Sequence, residues 1–218
     1  MFNIEKYQEI LKNIEKAGKK TKIIAISKNH PKQAVEEAIS CGVNIFGENR
    51  VQEARFKFEE LVSQNKSLQL HLTGPLQTNK VKQALNLFSV FHTLDREKLL
   101  IELSKYPEKI KNKSFFIQVN TGKELSKSGI YPEDVEFFFN QCGAHGLKNI
   151  LGLMCIPPIN ENPKKHFQII SDLSKEIGKN DISIGMSSDY MEALSFNPTY
   201  IRLGTVLFGK RLWKKKYI

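Results

Sequence analysis

Short apolar runs alternate with amphipathic stretches along most of the 218-residue chain. The runs have the length of strands buried on both faces, and the stretches between them carry apolar residues at helical spacing. The alternation predicts eight strands, each followed by a helix or a loop, after a leading helix at residues 3–17. The strands are predicted at residues 22–27, 43–46, 68–72, 89–94, 114–120, 149–154, 181–186 and 199–204.

Proline and cap residues mark several of the predicted helix starts. Pro31 and Pro132 occupy first-turn positions where proline is favoured, and Asp95 is the predicted cap of a helix that runs to Tyr106. The segment Ser-Ser-Asp at 187–189 is predicted to cap a short helix.

Eight such units without a Pro-, Gly- or Ser-rich linker favour a parallel sheet that closes on itself. We therefore predict one α/β domain over residues 1–218, a (β/α)8 TIM-like barrel at about 22–211 with an extra N-terminal helix. A doubly wound open sheet is the alternative. It predicts a glycine-rich phosphate turn after the first strand, where this chain has SKNHP, so the barrel is favoured.

Charge and composition narrow the classes of function. The net charge of +10 raises the possibility of a nucleic-acid partner. The basic residues are spread along the chain, however, and only the tail at 210–217, KRLWKKKY, is a cluster. Because the chain has no helix-turn-helix, zinc-finger or aromatic RNA-binding signature, we expect no specific nucleic-acid partner and a solvated tail.

Compartment is predicted from apolar runs and cysteines. No apolar run approaches the roughly 20 residues of a membrane span, and the N-terminus lacks the apolar core of a signal peptide. Cys41, Cys142 and Cys155 are odd in number and far apart, which is typical of reduced cysteines and not of a disulfide framework or a metal site. We expect a cytoplasmic protein with no membrane partner and no metal.

Polar residues concentrate at the carboxyl ends of the predicted strands, where parallel barrels carry their chemistry. Lys28 follows the first strand. Partial burial there would lower its pKa, and a neutral amine attacks an aldehyde to form a Schiff base. Taken alone, Lys28 would be interpreted as a surface lysine, because the chain has 33 lysines and arginines.

Two further segments together suggest an anion site. Ser187 precedes a predicted helix, and Gly204 and Thr205 follow the eighth strand, the two places where barrels of this kind often bind phosphate. Each segment alone is equally consistent with a helix cap or a strand end. A phosphate site facing the amine of Lys28 suggests a phosphorylated aldehyde, of which pyridoxal 5′-phosphate (PLP) is the common one.

Seven motifs, in order, resemble those of the YggS/PROSC family of pyridoxal phosphate homeostasis proteins, over about residues 22–211. The resemblance implies the fold-type III PLP-binding barrel of the alanine racemase N-terminal domain. It also implies a protein that holds PLP covalently on Lys28 and takes part in intracellular PLP homeostasis. The motifs are AISK, GENRVQE, HLTGPLQTNK, QVNTGKELSKSG, GLMCIPP, IGMSSD and RLGTVLFGKR.

The same resemblance assigns the cofactor-binding residues. Lys28 would form the Schiff base, and Arg202 would lie by the pyridine nitrogen or reach the phosphate. Arg50 and Thr73 depart from the family pattern, which favours tyrosine and a larger apolar residue there. The other predicted contacts are Asn49 and His71 at the ring, Met186 beside them, and Ser187, Gly204 and Thr205 at the phosphate.

A carrier is favoured over an enzyme. A cation beside the pyridine nitrogen disfavours its protonation and weakens the cofactor as an electron sink. In alanine racemases a tyrosine from a C-terminal β domain is the second acid/base, whereas this chain ends 14 residues after Gly204. We expect no catalytic residue, with a PLP-dependent amino-acid racemase of the same fold as the alternative. The expected state is a monomer, with apo PLP-dependent enzymes as possible partners.

Several other polar residues have simpler interpretations. His92 and His145 are predicted to be packing or surface residues. Lys80 and Lys127 either are solvated, approach the phosphate or serve as a second docking amine, and the first interpretation is favoured.

Overall fold

Eight parallel strands close into a barrel in chain order in the computed structural model, which describes residues 1–210. Each strand pairs with the next along the chain, and β8 pairs with β1, so the predicted (β/α)8 barrel is confirmed. The basic tail from Arg211 onwards lies outside the described residues. The strands are β1 Lys22–Ile26, β2 Ile45–Glu48, β3 Gln69–Leu72, β4 Val90–Leu94, β5 Ser114–Val119, β6 Ile150–Cys155, β7 Asp181–Ser183 and β8 Tyr200–Leu203.

Helices surround the barrel, and short 3-10 turns at 78–80, 132–134 and 194–196 adjoin three of them. The predicted leading helix is present, begins after Asn3 and buries Ile10 and Ile14. No helix within residues 1–210 has the length and apolar character to cross a bilayer. The helices are α1 Ile4–Lys16, α2 Lys32–Ser40, α3 Val51–Gln64, α4 Val81–Leu87, α5 Glu97–Ser104, α6 Pro107–Ile110, α7 Val135–Ala144, α8 Pro163–Glu176, α9 Tyr190–Ala193 and α10 Thr205–Phe208.

Alternate side chains of each strand point to opposite sides of the barrel wall. On β1, Ile23 and Ala25 pack into the large outer core between strands and helices. Ile24 and Ile26 belong to a smaller cluster inside the barrel, which also contains Tyr200. This alternation decides which residues beyond the strand ends continue toward the barrel axis.

Every predicted strand differs from the structure by at least one residue at one end, and three differences at element ends have a local cause. Strand β2 extends to Glu48, because Gly47 and Glu48 both pair with β3. Strand β7 ends at Ser183, two residues before Gly185, whose φ of 87° turns the chain out of the sheet. Arg96 occupies the cap position of α5, whereas the carboxylate of Asp95 accepts a hydrogen bond from the Arg96 guanidinium.

Candidate cofactor-binding site

A cavity of about 350 Å³ opens at the carboxyl ends of the strands, a size typical of small-molecule sites. It brings together residues that are distant in sequence, from the segments that follow β1, β2, β3, β6, β7 and β8. Seven of the eight predicted cofactor contacts line it, and His71 does not. The lining consists of Ile26, Lys28, His30, Asn49, Thr73, Ile156, Met186, Ser187, Ser188, Arg202, Gly204 and Thr205.

Strand alternation explains why Lys28 and Asn49 reach this cavity. Lys28 is two residues beyond Ile26, and Asn49 is two residues beyond Gly47, so each continues an inward-facing series. Lys28 is partly buried. The side chains of these two residues therefore enter the cavity from adjacent strands.

The two predicted phosphate segments touch each other. The backbone N–H of Gly204 donates to Oγ of Ser187 at 3.3 Å. Asp189 fixes the turn that carries Ser187, because its Oδ1 accepts from the N–H of Met186 at 2.6 Å. The hydroxyl of Ser187 and the N–H of Gly204 therefore lie together on one side of the cavity, and phosphate binding there stays a prediction.

Arg202 is a buried cation whose orientation is fixed by its neighbours. Its Nη1 donates to the backbone oxygen and to Oγ of Ser183, both at 2.7 Å, and its Nη2 donates to the carbonyl of Cys155 at 2.8 Å. Burial lowers the pKa of Arg202, while Cys155 and Asp189 act in the opposite direction. Arginine stays protonated in proteins, so the cavity keeps a fixed positive charge at this wall.

The charge of the lining suits an anionic ligand. Lys28 contributes an amine, Arg202 contributes a fixed cation, and Ser187, Ser188 and Thr205 contribute hydroxyls. Among the residues of the described chain that line the cavity, none is a carboxylate. A ligand with negative charge and hydrogen-bond acceptors therefore meets hydrogen-bond donors here and no opposing carboxylate.

His71 lies inside the barrel, behind the cavity wall. Its Nδ1 is 3.0 Å from Nε2 of His92, whose Nδ1 is 3.0 Å from Oγ of Ser183. Burial, with a smaller effect of Lys22, lowers the pKa of His71 to about 3. Burial also lowers the pKa of His92 well below its usual value, so both rings are neutral at pH 7. His92 is a packing residue, as predicted, and a contact between His71 and the cofactor stays a prediction.

Sequence reasoning missed part of the lining. Thr73, noted only as a departure from the family pattern, donates its hydroxyl to Oδ1 of Asn49 at 3.1 Å and lines the cavity. Its position two residues beyond the inward-facing His71 was the available signal. Ile26, His30, Ile156 and Ser188 also line the cavity.

Three other basic residues near the predicted site lie elsewhere. Arg50 is exposed and lines a separate groove that also contains Lys80. Lys127 forms an ion pair with Glu124 at 2.5 Å. None of the three lines the cavity that contains Lys28.

Comparison with known proteins gives consistent matches over nearly the whole chain. The family model described as the alanine racemase N-terminal domain matches residues 3–211. A pyridoxal phosphate homeostasis protein of Aquifex aeolicus is 34% identical, over 95% of this chain and 97% of the relative.

Solved structures give the same picture. PipY of Synechococcus elongatus, solved with PLP bound, is 31% identical with a TM-score of 0.80, over 94% of this chain and 99% of that chain. Alanine racemase of Acinetobacter baumannii shares the fold at 16% identity and a TM-score of 0.69, over 94% of this chain and 61% of that chain.

Proposed function

This chain belongs to the family of pyridoxal phosphate homeostasis proteins, and we propose that it holds PLP reversibly in the barrel cavity, as a Schiff base on Lys28. One observation carries the proposal. The cavity gathers the Lys28 amine, the Arg202 guanidinium and the Ser187–Gly204 donor pair around a lining without a carboxylate in the described chain. PipY, which is similar over most of its length, has been solved with PLP bound.

The donors fit the functional groups of PLP one by one. Lys28 faces the aldehyde, and its neutral amine nitrogen bonds to the aldehyde carbon while both amine hydrogens leave with the aldehyde oxygen as water. Hydrolysis reverses the step and releases the cofactor. Ser187 and the N–H of Gly204 hold the phosphate, and the hydroxyl of Thr205 adds a third donor.

Arg202 faces the pyridine nitrogen in this proposal. Bound PLP supplies an electron sink for carbanion chemistry when its ring nitrogen is protonated. A fixed guanidinium has no acceptor atom and carries a positive charge, so it disfavours that proton. Arg202 therefore favours storage of the cofactor over its use, and the relatives are named as homeostasis proteins.

Further parts of the proposal rest on the chain's composition and its family. We propose one cofactor-binding domain over residues 1–218, a cytoplasmic location and transfer of PLP to apo PLP-dependent enzymes. The free thiols of Cys41, Cys142 and Cys155 support a reducing compartment. The monomeric state stays a prediction.

The test is borohydride trapping followed by mass spectrometry. Wild-type protein mixed with PLP and reduced should carry the adduct on Lys28, and Lys28→Ala should carry none while remaining folded. Lys32→Ala is the matched control, because Lys32 lies four residues away in a surface pair with Glu60 and should leave trapping unchanged. An adduct of equal yield on Lys28→Ala would refute the assignment.

The racemase alternative is tested on the same preparation. Proton exchange at the α-carbon of an amino acid in deuterium oxide should stay near the rate given by free PLP. Steady exchange that depends on the protein and disappears in Lys28→Ala would replace the carrier with an enzyme.

A further inference from the structure

A buried ionic cluster lies directly behind Lys28, on the outer side of the barrel wall. We call it the Lys57 cluster; it consists of Ser27, Glu48, Glu53 and Lys57, none of which is more than 4% exposed. Nζ of Lys57 lies 2.9 Å from Oε1 of Glu48 and 2.6 Å from Oε1 of Glu53. The cluster joins the ends of β1 and β2 to helix α3.

The Lys57 cluster forms hydrogen bonds with the backbone on both sides of Lys28. Nζ of Lys57 donates to the carbonyl of Ser27, the residue before Lys28, at 2.7 Å. Oε1 of Glu53 accepts from the N–H of Asn29, the residue after Lys28, at 2.5 Å. The hydroxyl of Ser27 donates to Oε1 of Glu48 at 2.7 Å. The residue that enters the cavity is thus held by its two neighbours from the opposite side of the wall.

The backbone held in this way has an unusual conformation. Asn29 has a φ of 62°, in the left-handed region that few non-glycine residues adopt and that asparagine tolerates better than most. The hydrogen bond from its N–H to Glu53 helps to hold this conformation. Without it, the chain after Lys28 is free to return to commoner φ values and to change the direction of the Lys28 side chain.

The composition of the Lys57 cluster suggests that it fixes the position of the backbone beside Lys28 and adds little to the stability of the fold. A buried ion pair loses much of its Coulomb energy to desolvation, and apolar residues of similar volume are often equally stable in its place. This cluster contains two carboxylates for one ammonium, and Oε2 of Glu48 has no hydrogen-bond partner among the described residues. Its hydrogen bonds converge on the two peptide groups beside Lys28.

We propose that Lys57, held between Glu48 and Glu53, is a positioning residue for Lys28. It fixes Ser27 directly, and it fixes Asn29 through Glu53, so that the amine of Lys28 is presented to an aldehyde in one orientation. This inference rests on the proposed function, since it assigns Lys57 a role in the same binding reaction. Fixing a reacting group in advance raises its rate of attack without a contact to the ligand.

The first experiment measures the loop without any ligand. Hydrogen exchange at the Asn29 amide should be at least about tenfold faster in Glu53→Met than in Glu53→Gln, because only glutamine keeps an acceptor for that N–H and one lost hydrogen bond is worth about that factor. Lys57→Met should also speed exchange there. Phe58→Leu is the control, because Phe58 is the buried neighbour of Lys57 on α3 and packs on Phe46. Phe58→Leu weakens the same helix and should leave the exchange rate of the Asn29 amide as it is in wild type.

The second experiment measures capture of PLP by stopped-flow absorbance, with the adduct located by borohydride and mass spectrometry. The rate constant at Lys28 should fall about tenfold or more in Lys57→Met and Glu53→Met, since small misplacement of a reacting group has effects of this size or larger. Glu53→Gln and Phe58→Leu should stay within about twofold of wild type, as they keep the acceptor or do not touch the loop. If Lys57→Met does not fold, the two Glu53 variants decide the question.

Failure of the proposed function and failure of the positioning role give different results. Wild-type protein that captures no PLP on Lys28 would overturn the proposed function. Normal capture by wild type and by folded Lys57→Met would overturn only the positioning role. The positioning role would also be overturned if Phe58→Leu and Glu53→Gln captured PLP as slowly as Lys57→Met and Glu53→Met. The capture rate would then follow the stability of α3 and not the contacts to Ser27 and Asn29.

Discussion

Replacing His71 with asparagine should make the protein less sensitive to acid, because it removes a buried group that resists protonation. Burial, with a smaller effect of Lys22, lowers the pKa of His71 to about 3 in the folded protein. The ring Nδ1 of His71 lies 3.0 Å from Nε2 of His92. Asparagine can place a polar atom near that position, and it does not titrate.

The size of the effect follows from the two pKa values of His71. The pKa is about 6.5 in the unfolded chain and about 3 in the folded one, so the unfolded chain binds more protons between these values. The stability that His71 contributes is therefore fully present above pH 6.5 and is lost as the pH falls toward 3. Linkage gives a loss of at most about 1.4 kcal/mol per pH unit, which is about 2 kcal/mol at pH 5.

Urea unfolding followed by circular dichroism between pH 5 and pH 8 measures this difference. The free energy of unfolding of His71→Asn should fall by about 2 kcal/mol less than that of wild type over this range. The stability of the variant at pH 8 does not affect this test, since the test compares how the free energy of unfolding changes with pH in the two proteins. His92→Asn should flatten the curve in the same direction, because burial also lowers the pKa of His92. Parallel curves for wild type and both variants would refute the reasoning.

Three further predictions follow from single contacts. Ser187→Ala should raise the dissociation constant for PLP by about ten- to a hundredfold, since a hydrogen bond to a charged group is worth about 1.5–3 kcal/mol, and an unchanged titration would remove Ser187 from the proposed phosphate site. Gly152→Ala should lower the thermal midpoint strongly, because its Cβ would lie 1.7 Å from the carbonyl oxygen of Asp181; a variant that melts like wild type would contradict the packing of β6 on β7. Burial raises the pKa of Glu48 to about 7, so its contribution to stability is present below about pH 4.5 and is lost as the pH rises through 7. Glu48→Gln should therefore lose less stability than wild type between pH 5 and pH 8, and an identical loss would refute the raised pKa.

The fold could be predicted because the barrel repeats one pattern eight times. Each strand is an apolar run and each helix has one apolar face, so local errors do not accumulate. Two of the larger errors occur where a polar residue is buried at or next to a strand end. The predicted second strand ends at residue 46, before Glu48, since nothing in the adjacent sequence shows that Lys57 pairs with Glu48 inside the protein. Asp95 is predicted to cap a helix because its type favours that role, whereas Arg96 occupies the cap position.

The site could be predicted where strand alternation and a motif agree. Lys28 and Asn49 follow inward-facing positions and line the cavity. His71 lies inside the barrel, behind the wall of the cavity, and contacts His92. Glu53 and Lys57 have the i, i+4 spacing of an ordinary surface pair, so their burial against Ser27 depends on packing that the sequence alone does not reveal.

A site that is ordered before its ligand arrives can bind and release that ligand without folding of a loop. Arg202 is already fixed by Ser183 and Cys155, and the Lys28 backbone is already held at both neighbours. At the phosphate side, the contact between Ser187 and Gly204 is long at 3.3 Å, and replacing it with two charge-assisted bonds is favourable. Little ordering entropy is then lost on binding, so under the proposed function the affinity for PLP depends mainly on the phosphate contacts and on the Schiff base equilibrium. Under the proposed function, hydrolysis of the Schiff base on Lys28 would release the cofactor without moving the barrel.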